Sequence, residues 1–81
     1  MSPRAKSVRC LDSYKVLITF ENDEKKVFDL QPYLHLDVYR PLQYEVFFKR
    51  VTVRESDGVL QWSDLIDLDP DRAYMESAPV S

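Results

Sequence analysis

Eighty-one residues carry eleven Lys and Arg against fourteen Asp and Glu, a formal charge of −3, with 44% hydrophobic and 12% aromatic residues. A chain this short forms one domain and removes only about 60–65% of its unfolded surface from water, which excludes a multidomain enzyme, a large cofactor fold and a repeat array. The composition is that of a globular domain, and the negative charge opposes non-specific attraction to a polyanion.

In chain order, residues 1–7 read as a flexible basic tail holding Arg4 and Lys6, and residues 8–76 as a single α+β domain. Val8 to Leu11 is a short strand and Asp12-Ser13 a turn pair. Tyr14, Val16, Ile18 and Phe20 alternate with Lys15, Thr19 and Glu21, the period of two of a half-buried strand, and Leu17 puts an apolar side chain on the outer face. The polar turn Glu21-Asn22-Asp23-Glu24 leads into Val27, Phe28 and Leu30, so the two runs form an antiparallel hairpin. Pro32 ends the second strand because it has no N–H for the ladder, and Pro32-Tyr33-Leu34 reads as one helical turn.

Pro41 suits the first position of a helix running to about Phe48, with Leu42 and Val46 at i,i+4 starting an apolar stripe. Val51 and Val53 alternate with Thr52 and Arg54, and Gly58, the only glycine, introduces Val59-Leu60-Gln61-Trp62 in a second hairpin. Asp69 and Pro70 supply the N-cap and first residue of a terminal helix to Glu76. Residues 77–81 are expected to fray. The sum is an α+β domain, a small antiparallel sheet built from two hairpins with one or two short helices on one face.

Chemistry-bearing residues are few. Cys10 has no partner for an internal disulfide and sits in an apolar alternation, which points to a packed thiol in a reducing compartment. Arg9 lies beside it, but strand neighbours point to opposite faces. His35 is the only histidine, with Asp37 the nearest carboxylate, so no catalytic role is assigned to it. Asp67, Asp69 and Asp71 copy the first three ligand spacings of a calcium loop, yet Arg72 stands where glycine is required and Ala78 where glutamate is required. No catalytic, cofactor or metal residues are assigned, and no enzyme activity is expected. Trp62, beside Ser63-Asp64 and near Tyr74, reads as core with a polar handle or, since Trp and Tyr are enriched at binding hot spots, as an interface anchor. Leu65-Ile66 interrupt an acidic region from Asp64 to Asp71, either as an apolar patch for a partner or tucked back against the sheet. Trp62, Leu65, Ile66, Asp67 and Tyr74 are therefore the candidate partner-binding residues.

In order along the chain, Val16-Leu17-Ile18-Thr19-Phe20, Val27-Phe28-Asp29-Leu30, Pro41-Leu42, Phe47-Phe48, Val51, Val53, Gly58, Trp62, Asp67, Asp69-Pro70 and Tyr74 resemble the small bacterial domain of unknown function 2442. The resemblance covers roughly Val8 to Tyr74. It departs where Glu24 follows Asp23 in place of the family's glycine, and where Ser63-Asp64-Leu65-Ile66 stands in place of Pro-Asn-Gly-Ala. It implies an α+β fold, attached in some longer members to a helix-turn-helix domain, and a companion small protein; it implies no catalytic residues. The reading is a cytoplasmic, non-catalytic module that pairs with another small protein, antitoxin-like, or with a second copy of itself. The alternative is an accessory regulator linked to nucleic-acid binding, through the basic tail or through a DNA-binding partner, direct nucleic-acid contact by this chain being the less expected version. No apolar run reaches the length of a membrane span, and no secretion signal is expected.

Overall fold

The structure, a computed structural model, describes residues 3–80. Strands β1 (Ala5–Cys10), β2 (Lys15–Phe20) and β3 (Lys25–Asp29) run as an antiparallel meander. Two 3-10 segments, Gln31–Tyr33 and Asp37–Gln43, lead to the short helix α1 (Glu45–Phe48). Strands β4 (Thr52–Val53), β5 (Leu60–Ser63) and β6 (Ile66–Leu68) form a second antiparallel sheet, and α2 (Pro70–Glu76) follows. The last strand, β7 (Ala78–Pro79), returns to β3, so the first sheet has the order β1-β2-β3-β7.

The alternation read in β2 is realised: Val16, Ile18 and Phe20 are buried, while Lys15, Leu17 and Thr19 take the other face. These join Phe28 and Leu30, then Leu42 and Phe48, then Leu60, Trp62, Ile66 and Leu68 from the second sheet, in one core cluster. Ala73 closes it from α2. Asp69 caps α2 as expected: its carboxylate accepts the Asp71 N–H at 2.9 Å, and Pro70 occupies the first turn.

Both ends of the domain extend beyond the boundaries expected from sequence. Lys6 and Ser7 belong to β1, and Ala5, assigned to the basic tail from sequence, is buried at 4% exposure. The reason is Gly58, whose bare α-carbon lets the Arg4 β-carbon and the Ala5 backbone lie against the β4–β5 turn. At the other end, where the sequence placed a frayed terminus, Ser77 is buried and Ala78–Pro79 pair with Val27 and Lys26. The first two residues of the expected tail, and Ser81, lie outside the described residues.

Tyr14 is in a turn, not a strand. Ser13 and Tyr14 take φ of 62° and 61°, the successive left-handed pair that a tight primed hairpin turn requires. For a bulky residue that conformation is unfavourable. Tyr14 is held by its hydroxyl, which donates to the Gln43 carbonyl at 2.6 Å, and by its ring, edge-on to Phe48 at 5.4 Å. The next turn manages without glycine because Asp23 itself takes φ 69°, and the Asn22 carboxamide oxygen accepts the Glu24 N–H at 3.1 Å. The helix expected from Pro41 to Phe48 is split: Pro41 lies inside a 3-10 segment, and Tyr44, extended at φ −82° and ψ 117°, separates it from α1.

Candidate interaction surface

The five residues predicted to bind a partner are not brought to one surface. Trp62 is 5% exposed, its indole N–H donating to the Phe48 carbonyl at 3.0 Å, and Ile66 is equally buried. Both belong to the core. The acidic stretch that masked Ile66 is β6, where period-two alternation buries Ile66 and Leu68 and turns Asp67 outward. The Asp67 carbonyl accepts the Tyr39 hydroxyl at 3.2 Å while its carboxylate is exposed.

Tyr74 is half-buried and already engaged. Its ring meets Phe20 edge-on at 5.0 Å, and the Lys26 ammonium sits 3.8 Å from the ring centroid while donating to the Tyr74 carbonyl at 2.9 Å. Its hydroxyl donates to the Glu24 carboxylate at 2.6 Å. That bond, with a second from Asn22, holds the Glu24 carboxyl below its ordinary range, and Glu24 in turn pushes the Tyr74 phenol up. Tyr74 thus latches α2 to the first hairpin. Leu65 alone stands clear, 86% exposed at the β5–β6 turn, where its N–H is accepted by the Ser63 hydroxyl at 3.2 Å.

A more apolar surface lies where the sequence pointed to core. Tyr44 and Val46 are 74% and 76% exposed and line a shallow groove with Pro41, Phe47 and Arg50. Because Tyr44 breaks the helical path, Leu42 and Val46 no longer share a face: Leu42 is buried and Val46 points away. Phe48 keeps the core position and Phe47 is half-buried beside the groove. The Arg50 guanidinium lies 5.8 Å from the Phe47 ring centroid and, among the described residues, pairs with no carboxylate. The arrangement is an apolar shelf with one cation at its edge.

A separate cleft of about 360 Å³ is lined in part by Cys10, Tyr14, Glu45 and Lys49. The Cys10 thiol lies 3.6 Å from the Phe48 carbonyl, and burial pushes its pKa up against the nearby Lys49, the opposite of an activated nucleophile. Glu45 and Lys49 pair with each other at 3.1 Å. His35 is exposed in the loop between the two 3-10 segments.

These features define an α+β domain of two small antiparallel sheets with short helices and an apolar shelf. Residues 5–78 match the family of proteins of unknown function DUF2442, and the chain belongs to that family. Its fold is also that of the crystal structure of the putative DNA-binding protein NE0471 from Nitrosomonas europaea ATCC 19718, with a TM-score of 0.82 and 24% identity. The match covers 93% of this chain but 48% of that one, so this chain spans about half the length of its structural relative. No curated protein matches the chain. No helix among the described residues is long and apolar enough to cross a membrane.

Proposed function

We propose that this chain is a non-catalytic protein-binding module that pairs with another small protein, as the antitoxin-like half of a two-protein system in the cytoplasm. The observation that supports this is the shelf: two large side chains, Tyr44 and Val46, are three-quarters exposed next to Phe47 and Pro41. Covering side chains of that size contributes roughly 1.5–3 kcal/mol each. Tyrosine and arginine at its edge are the residue types that dominate interface energetics. Leu65 offers a second, single-residue contact.

A second reading is favoured by the relative from Nitrosomonas europaea. There the fold fills about half of a chain named for DNA binding. In that reading this domain is an accessory regulator whose partner carries the nucleic-acid contacts.

The test is affinity purification of tagged protein from its own host, with and without nuclease, alongside the double variant Tyr44→Ser/Val46→Ser. One stoichiometric small protein, retained after nuclease and weakened about a hundredfold or more by the variant, is the expected result. Loss of the partner on nuclease treatment moves the weight to the accessory-regulator reading. Recovery of the chain alone replaces the heteromeric reading with self-association.

A further inference from the structure

We propose that the open face of the β1-β2-β3-β7 sheet binds an acidic protein segment with apolar side chains between its carboxylates. The proposal rests on the protein-binding reading and names the chemistry of a partner that uses this second surface.

The face follows from the pleat. Val16, Ile18, Phe20 and Phe28 point into the core, so their strand neighbours point out. Arg9, Leu17 and Val27 lie in one cross-strand row, since Arg9 pairs with Leu17 and Leu17 with Val27. Lys15 stands opposite Asp29, and Lys25 opposite Thr19. The result is an apolar centre, Leu17 and Val27, with Arg9, Lys15 and Lys25 around it and one acid, Asp29.

The helical segments pack on the other side. Tyr74 of α2 contacts Phe20 and Lys26, and Lys26 pairs with core-facing Ile18. Tyr33 stacks on core-facing Phe28 at 5.6 Å. The three cations of the open face are exposed, and among the described residues none lies within 4.0 Å of a carboxylate, whereas Lys6, Arg40, Lys49, Arg54 and Arg72 each do. A chain of net charge −3 therefore places unneutralised cations around its outward-facing leucine and valine.

Charge complementarity selects the occupant. Carboxylates meet Arg9, Lys15 and Lys25, and apolar side chains between them cover Leu17 and Val27. A nucleic acid fits less well. The row holds no aromatic side chain on which bases could stack, and the field of the whole chain is negative.

The experiment is titration of the isotope-labelled full chain with a short peptide alternating glutamate and leucine, followed by amide NMR shifts. A glutamate–serine peptide of equal charge and an oligothymidylate serve as comparison probes. The expected result is perturbation centred on Arg9, Leu17 and Val27, tighter for the leucine peptide than for either comparison. Arg9→Glu/Lys25→Glu should weaken binding about tenfold, because both reversals replace attraction by repulsion at an unpaired cation. Equal affinity for the serine peptide, shifts mapping elsewhere, or tighter oligothymidylate binding at this face each overturns the proposal. The mapping uses unmutated protein, so it decides the matter even where a variant fails to fold. A host partner that survives the charge reversals but is lost with Tyr44→Ser/Val46→Ser also overturns the sheet-face proposal while the protein-binding reading stands. A chain that captures no protein overturns that reading.

Discussion

Gly58→Ala tests the contact that brings the N-terminal strand into the domain. Gly58 has φ +74°, a conformation that costs an L-residue roughly 1–2 kcal/mol. A β-carbon there would lie 2.7 Å from the Arg4 β-carbon and 3.1 Å from the Ala5 nitrogen. Ordinary carbon contacts are about 3.5–4.0 Å, so the strand must shift, and crowding of this kind costs about 1–3 kcal/mol. Replacing glycine recovers about 0.4–1 kcal/mol through the unfolded chain. The net is a loss of about 1–5 kcal/mol. For a domain of this size that lowers Tm by about 4–35 °C in a calorimetric or circular-dichroism melt. In an Arg4→Gly background the closest clash disappears, so the same substitution should cost measurably less. A Tm change under about 3 °C would refute the packing of β1 against this turn. An identical penalty in both backgrounds would assign the effect to φ alone.

Trp62→Phe and Leu65→Asp should separate the two residues that the sequence placed together. Trp62→Phe deprives the Phe48 carbonyl of its 3.0 Å donor and leaves the weaker Cys10 thiol at 3.6 Å, a loss of about 1–3 kcal/mol in urea unfolding. Leu65→Asp, at an 86% exposed position, should stay within about 0.5 kcal/mol. Stability should also vary with pH in two limbs. Glu24, Glu76 and Asp57 are held below their ordinary 4.5, 4.5 and 3.8, by Tyr74, Tyr33 and Arg54 respectively. Their contribution is present above those values and is lost as pH falls through the lowered ones. Tyr33, Tyr39 and Tyr74 are raised above 10.0, the first and last chiefly by bonds to Glu76 and Glu24 and Tyr39 by burial. Their contribution is complete below pH 10 and disappears as pH climbs through the raised values. Melts across the range should show a plateau from about pH 6 to 9, and Glu24→Gln should blunt the acid limb. A monotonic profile would contradict these assignments.

Local pattern determined the elements whose signals are local. The alternation of Val16, Ile18 and Phe20 defined a core-facing strand, Asp69-Pro70 started α2, and Gly58 marked a turn, because pleat, capping and φ are properties of neighbouring residues. The apolar Leu17 on the outer face of β2 was also legible before any packing was known. Tertiary structure decided the rest. Residue type left Trp62 open between core with a polar handle and an interface anchor, and the buried Phe48 carbonyl that accepts its N–H decides for core; the Phe20–Lys26–Glu24 group engages Tyr74. Val46 read as core by i,i+4 spacing, until the extended Tyr44 broke the helix and turned it outward. Residues 5–7 and 78–79 carried too little hydrophobicity to read as strands. They are ordered by hydrogen bonds to β2 and β3, whose partners lie far away in the chain, and pairing of that kind leaves no local pattern.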